Sequence, residues 1–332
     1  MSRTRCWRHS KPSKRWPPKR LKQASPPSKL PWKKLLPNQL LKRLLKANLP
    51  LKRQPRADQP VTRSDFEFND TDGLYARQVI LPEIGQQGQA RLQKSRVLVV
   101  GAGGLGSPIL MNLAGAGVGH LTLIDHDTVS MSNLNRQFLY TMADIGQPKA
   151  TIARQRLLAY HPDVEVTALD QTFTDELARQ VIPGQDLVVA AVDNRAARRL
   201  INHACYRLEK PWIDGGVRGF SGSVAVYRPG KTACFDCRFD LAEENLDCAL
   251  ETGMAANLTA TPKRSAATIG ALGATASVIG SLEADLALCL LLGLGDPLQG
   301  EILYYHGRTL DFQRVAVAAR PDCLICGSNP NE

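Results

Sequence analysis

Four β-forming residues, Val97, Leu98, Val99 and Val100, run without a polar break into a glycine-rich turn. An apolar stretch at helical spacing follows, with Ile109, Leu110, Leu113 and Ala114. An unbroken apolar run of that length reads as a strand covered on both faces, and the 3.6-residue spacing after it reads as a helix. The alternation then recurs. Strands are predicted near 96–100, 120–125, 163–168 and 186–191, separated by helices near 107–116, 148–160 and 195–208. This order predicts an α/β fold, a Rossmann-like doubly wound sheet that is mostly parallel and carries helices on both faces.

The pattern changes after Trp212. Short glycine-bearing strands (Gly222 to Tyr227, Ile302 to His306, Asp311 to Val317) predict an antiparallel C-terminal extension, and a helix rich in small residues is expected from about Ser265 to Leu292. No internal repeat is visible. The chain is therefore divided into a tail, residues 1–60, and one domain, residues 61–328. That domain has a first half over about 74–210 and a second half over about 211–328.

Composition adds one correction to this picture. The formal net charge is +11, but residues 1–56 hold 18 Lys and Arg and no acidic residue, so the remainder stands at −7. The tail mixes Pro with Lys and Arg and is expected to be disordered. Within it, leucines at 36, 40, 41, 44 and 45 share one face of a short basic helix, a pattern that suits an anionic membrane or a nucleic acid; a leader or transit segment reads the same way. At 43% hydrophobic the chain can bury a large core, and no apolar run was expected to reach the roughly 18 residues of a membrane span. A soluble, cytoplasmic enzyme that is not transmembrane is the expectation.

Chemistry enters with the turn itself, Gly101-Ala102-Gly103-Gly104-Leu105-Gly106. Glycines permit a tight turn and close approach of a ligand, and the free N–H groups at the helix start attract an anion. Asp125 ends the next strand, where an acidic side chain suits ribose hydroxyls. A dehydrogenase would fit equally well so far. The polar strip beyond Asp125 separates the two readings, because Asn133, Arg136 and Lys149 suit a triphosphate and a reacting phosphorus better than a dinucleotide. Asp193 follows another apolar run, Leu187 to Val192, so its carboxylate emerges at a strand's carboxyl end. There it suits Mg²⁺ shared with phosphates, or equally an N-cap for the helix that follows.

Several ordered blocks together resemble the MoeB/ThiF/HesA family, prokaryotic relatives of ubiquitin-activating enzymes, from about Tyr75 to Gly327. They are Tyr75-Ala76-Arg77-Gln78 with Leu81 to Gly85, the 101–106 turn, Ala116 to Gly119, Asp125 to Gln137 and Gly146-Gln147-Pro148-Lys149. Asp193-Asn194 with Arg198, Asn202 and Cys205, and two Cys-x-x-Cys pairs, complete the set. The resemblance implies an adenylyltransferase that activates the C-terminal glycine of a ubiquitin-like sulfur-carrier protein ending in Gly-Gly, giving an acyl-adenylate and pyrophosphate. It implies a homodimer, with Arg77 reaching the phosphates of the partner subunit's site. The ATP set it implies comprises Gly101, Gly103, Gly104, Gly106, Asp125, Asp127, Ser132, Asn133, Leu134, Asn135, Arg136, Lys149, Asp193 and Asn194, with Asp193 also holding Mg²⁺.

Cys234-x-x-Cys237 and Cys323-x-x-Cys326 have the spacing of two thiolate hairpins that close one four-cysteine Zn²⁺ site, with disulfides or redox pairs as the rival. Cys248 stands near the place where some family members carry a working cysteine, and is a candidate nucleophile. Cys6, Cys205 and Cys289 read as tail, helix and core residues. The chain also departs from the family. A Gln-Ala-x-Glu-Ala run followed by a lysine is replaced by Glu283-Ala284-Asp285-Leu286-Ala287 and then Cys289, an inserted-looking 257–264 stretch follows Cys248, and Leu74 precedes Tyr75. A tRNA threonylcarbamoyladenosine dehydratase-like enzyme, an NAD-dependent oxidoreductase and a non-catalytic zinc scaffold are the competing functions.

Overall fold

A computed structural model describes residues 73–238 and 270–327. The chain divides into two units, Met1–Val61 and Thr62–Glu332, and everything described belongs to the second. The basic tail, Cys6, Cys248 and the 257–264 stretch lie outside the described residues.

Eight strands form one sheet in the order β3-β2-β1-β4-β5-β6-β7-β8. The parallel part comprises β1 (Arg96–Val100), β2 (His120–Ile124), β3 (Glu165–Leu169), β4 (Leu187–Ala190) and β5 (Trp212–Arg218). From β5 onward the sheet turns antiparallel, through β6 (Ser221–Tyr227), β7 (Glu301–His306) and β8 (Asp311–Ala316). The helices are α1 (Ala76–Val79), α2 (Gly85–Lys94), α3 (Gly106–Gly115), α4 (Lys149–Tyr160), α5 (Asp175–Val181), α6 (Arg195–Arg207) and α7 (Gly273–Leu292).

The period-2 pleat assigns the apolar run of β1 to two cores. Val97 and Val99 face Ile109, Leu110 and Leu113 of α3 and Ile279 of α7. Leu98 and Val100 face Ala178 of α5 and Ile201, Ala204 and Cys205 of α6. Because β1 lies between β2 and β4, the chain's crossovers diverge there, and a crevice opens at the carboxyl ends of these three strands.

Some expected boundaries shift. β5 was not foreseen, because Asp214, Gly215 and Gly216 interrupt its apolar run, yet it carries the sheet from its parallel into its antiparallel part. Helices α2 and α5 were not foreseen either; α5 is short and is capped by Thr174, whose hydroxyl accepts the Leu177 N–H at 3.2 Å. The helix expected from about Ser265 begins at Gly273. Cys289 is half-buried rather than a core residue, whereas Cys205 is fully buried in α6.

Helix α7 corrects a further expectation. Its 20 residues have a mean hydropathy of 1.6, long and apolar enough by length and composition to cross a membrane. Its leucines, with Val278 and Ile279, raise that average although Glu283 and Asp285 lie within it. The helix packs on the sheet instead, with half of that window buried. Close packing against α3 is possible because residue 280 is a glycine; a Cβ there would collide with Pro108 and with the Leu105 carbonyl.

Candidate active site

The glycine turn leaves β1 in a conformation that only part of the motif demands. Gly101 has φ +98, and a Cβ on it would press on the Ala191 carbonyl; a Cβ on Gly106 would strike the Gly101 carbonyl. These two glycines let the turn fold onto itself and onto the end of β4. Gly103 and Gly104 differ: a Cβ on either would approach no protein atom closer than 3.5 Å, the nearest being Gln137 Nε2 and the Arg136 Cδ and Cγ. Their bare backbone faces the crevice, as a phosphate or ribose cradle requires.

The turn is braced from below. Asp125, buried at the end of β2, accepts the Ala102 N–H at 2.7 Å and the Asp127 N–H at 2.8 Å. Tyr140 donates its hydroxyl to the Ala102 carbonyl at 2.8 Å. Burial, with Asp125, Asp127 and Asp144 nearby, keeps that phenol protonated far above its ordinary range.

The two cations are held beside this cradle. Lys149 opens α4, is 4% exposed, and donates Nζ to Asp127 Oδ2 at 2.8 Å. It is not a solvated loop charge. Partial burial works against the Asp127 carboxylate, but the Lys149 hydrogen bond and charge outweigh it and hold Asp127 below its ordinary range. Arg136 lies along Gly104 and donates to Ser132 O at 2.7 Å and Asn135 Oδ1 at 3.0 Å.

Other members of the predicted set have local duties. Asn133 Oδ1 accepts the Ser130 N–H at 3.3 Å within a single 3₁₀ turn, Ser132 Oγ meets Ser130 Oγ at 3.0 Å, and Leu134 packs on the core. Asn194 is the N-cap of α6, accepting the Ala197 N–H at 2.8 Å. Asp193 is therefore not the cap. It is exposed just beyond β4, at the same carboxyl edge as the glycine turn.

Arg77 is placed elsewhere. It is exposed on α1, which is tied to the far end of α3 by Gln78 Nε2 donating to Ala116 O at 2.9 Å. Helix α3 has 10 residues and so spans about 15 Å, which sets α1 at the opposite edge of the sheet from the glycine turn.

Behind Asp193 lies a buried ionic cluster that the sequence alone did not assign. Arg198 Nε donates to Asp214 Oδ1 at 2.7 Å, and its Nη2 donates to Val192 O at 2.9 Å and Gly215 O at 2.8 Å. Arg238 approaches the other Asp214 oxygen at 3.6 Å. Glu283 of α7 is fully buried nearby; desolvation, and then the Asp214 charge, hold its carboxyl well above the ordinary carboxylate range. In the sequence Arg198 stands out only as part of the block after Asp193-Asn194, and Glu283 only as a departure from the family pattern. Asp214 ends the apolar run Trp212-Ile213, and reading that run as a strand would have placed a carboxylate at its carboxyl end. Tyr140 carried no sequence signal.

The four cysteines of the two pairs converge, all sulfurs within 4.8 Å of one another. Cys234 and Cys323 are 3.6 Å apart, Cys237 and Cys326 3.3 Å, and Cys234 and Cys237 3.9 Å. Disulfide sulfurs would sit about 2 Å apart. Tetrahedral thiolates around zinc, with bonds of about 2.3 Å, have edges of about 3.8 Å, so the donor set fits Zn²⁺ with no position left open for water.

A Rossmann-like sheet with a cationic, glycine-lined crevice and a closed thiolate cluster defines a nucleotide-handling α/β enzyme. A model of the ThiF family matches residues 75–325, and the chain belongs to that family. It is 40% identical to a sulfur carrier protein adenylyltransferase of Thermus thermophilus over 78% of this chain and 92% of the relative. It is 36% identical to the sulfur carrier protein ThiS adenylyltransferase of Escherichia coli, over 79% and 98% of the two chains. With the molybdopterin-synthase adenylyltransferase of Salmonella typhimurium the identity is 39%, over 79% and 99%. The protein is an adenylyltransferase, and the oxidoreductase alternative falls. Among solved structures, E. coli MccB shares the fold with a TM-score of 0.64 at 23% identity, covering 80% of this chain and 75% of that one.

Proposed function

We propose that the enzyme uses ATP to adenylylate the C-terminal glycine carboxylate of a ubiquitin-like sulfur-carrier protein ending in Gly-Gly, releasing pyrophosphate. The observation that supports this reading is Arg136 lying along the open face of Gly104, with buried Lys149 paired to Asp127, whose N–H bonds the same Asp125 that braces the turn. The names of the relatives supply the carrier. A carboxylate is a weak nucleophile toward a polyanion, so catalysis comes mainly from neutralising charge and fixing an in-line geometry. The glycine backbone receives the nucleotide, Asp125 accepts from the ribose hydroxyls while it braces the turn, and Arg136 and Lys149 stabilise charge on the phosphates as the carrier's oxygen bonds to the α-phosphorus and pyrophosphate leaves. Asp193 would hold Mg²⁺, whose chemistry is further charge neutralisation on the phosphates.

The same reading includes a homodimer. Arg77 is exposed and cannot reach its own glycine turn, and a groove beside it, lined by Gln78, Asn112, Tyr160, Ser281, Asp285 and Leu288, offers a face for a second copy. Pairing there carries each Arg77 toward the partner's site. Cysteine sulfurs at metal-ligand rather than disulfide distances suit a reducing, cytoplasmic setting.

The test is ATP–pyrophosphate exchange with a panel of Gly-Gly-ended carriers. Exchange is expected with at least one carrier and with none after deletion of its last two glycines. Arg136→Ala and Lys149→Ala should each lower the rate by about 10²–10³-fold. A protein that binds ATP and stays silent with every carrier refutes the reading.

A further inference from the structure

The nucleotide site explains why Lys149 and Asp193 are where they are, but not why a carboxyl group is buried behind them. Glu283 has no exposed surface, and neither of its oxygens has a hydrogen-bond partner among the described residues. It sits against Gly215 of β5, and the missing side chain makes the room: a Cβ at Gly215 would collide with both carboxyl oxygens. The carbonyl of that same glycine is held by Arg198 Nη2 at 2.8 Å, and the same nitrogen holds Val192 O at 2.9 Å. Val192 immediately precedes Asp193. A line of contacts thus runs from Glu283 through Gly215 and Arg198 to the loop that carries Asp193.

The charged groups around Glu283 are few. Asp214 faces it from β5 and Arg198 from α6, while Arg238 reaches Asp214 from beyond β6. One turn earlier on α7, Gly280 lies against Leu105 and Pro108 and Ile279 against Gly222, none of them charged. An ionised carboxylate buried without donors is costly, so this slot suits the neutral acid. Once ionised, Glu283 would compete with Asp214 for Arg198 and draw the guanidinium away from the two carbonyls it clamps.

We propose that Glu283, seated against Gly215, is in its uncharged form a positioning residue for the Asp193 loop, and that a charge on it loosens the Arg198 clamp and weakens Mg²⁺·ATP binding. This rests on the reading of the nucleotide site given above. Glutamine keeps the shape of Glu283 and has no proton to lose.

The experiment is equilibrium binding of Mg²⁺·ATP to the full chain between about pH 6.5 and 9.5, for the wild type, Glu283→Gln and Arg198→Lys. Wild-type affinity is expected to fall about tenfold toward the alkaline end, one pK unit of coupling, while Glu283→Gln varies by less than about twofold. Arg198→Lys, lacking the guanidinium fork, should bind weakly at every pH with a flat profile. Parallel alkaline limbs in the wild type and Glu283→Gln overturn the proposal while leaving the nucleotide site standing. If the glutamine variant fails to fold, an alkaline limb in Arg198→Lys as steep as the wild type's overturns it. A wild type that binds no Mg²⁺·ATP at any pH overturns the nucleotide reading, and this proposal with it.

Discussion

Two glycines of one motif are glycines for different reasons, and substitution can separate them. Gly106 has no room for a Cβ because the Gly101 carbonyl occupies the space, so Gly106→Ala should destabilise the fold by about 1–3 kcal/mol, seen as a lower urea midpoint. Gly104 has that room within the protein. Gly104→Ala should leave the unfolding free energy within about 0.5 kcal/mol of wild type, yet weaken ATP binding about tenfold or more. Equal loss of stability in both variants would remove the distinction. Glu283 makes a second prediction at this scale. Its folded carboxyl holds a proton that the unfolded chain gives up near the ordinary value of about 4.3, so its burial lowers stability progressively as pH rises above that value. Glu283→Gln should therefore raise the melting temperature by a few degrees at neutral pH and by little near pH 4.

Among elements, the informative one is the end of the chain. Strand β8 is exposed along its whole length, and the segment after it is held chiefly at Cys323 and Cys326, against Cys234 and Cys237 beyond β6. A closed thiolate site contributes folding energy directly. Metal analysis is expected to find about one zinc per chain, and Cys323→Ser to lose it; proteolysis of that variant should begin after β8 and spare β1 to β4. Zinc retained at full occupancy in Cys323→Ser would count against a four-cysteine site. The four parallel strands at 96–190 were legible because β1 and β4 are apolar runs and β2 and β3 alternate apolar with polar residues, each between helices. Strand β5 was not, since Asp214, Gly215 and Gly216 break its pattern for reasons that reside in Arg198 and Glu283, both distant in sequence.

For the whole molecule the open question is the second copy. Arg77 sits on α1, tied to the end of α3 away from the glycine turn, and the proposed homodimer predicts that it serves the partner's site. Arg77→Ala and Asp193→Ala should each be inactive alone. Mixed and refolded together, they should recover about a quarter of wild-type exchange, because half the dimers are hybrid and each hybrid holds one intact site. No recovery above the single variants would show that Arg77 serves its own chain or none. By itself the sequence determined the doubly wound sheet, the glycine turn and the pairing of two thiolate hairpins, because strand periodicity, backbone freedom and ligand spacing are local properties. Only the tertiary structure decided that Lys149 is buried against Asp127, that Asn194 rather than Asp193 caps α6, that Arg77 is exposed on a helix tied to the end of α3 away from the turn, and that Glu283 lies sealed beside Asp214. Each of these depends on which distant residues the fold brings within a few ångströms, and on how much water it leaves between them.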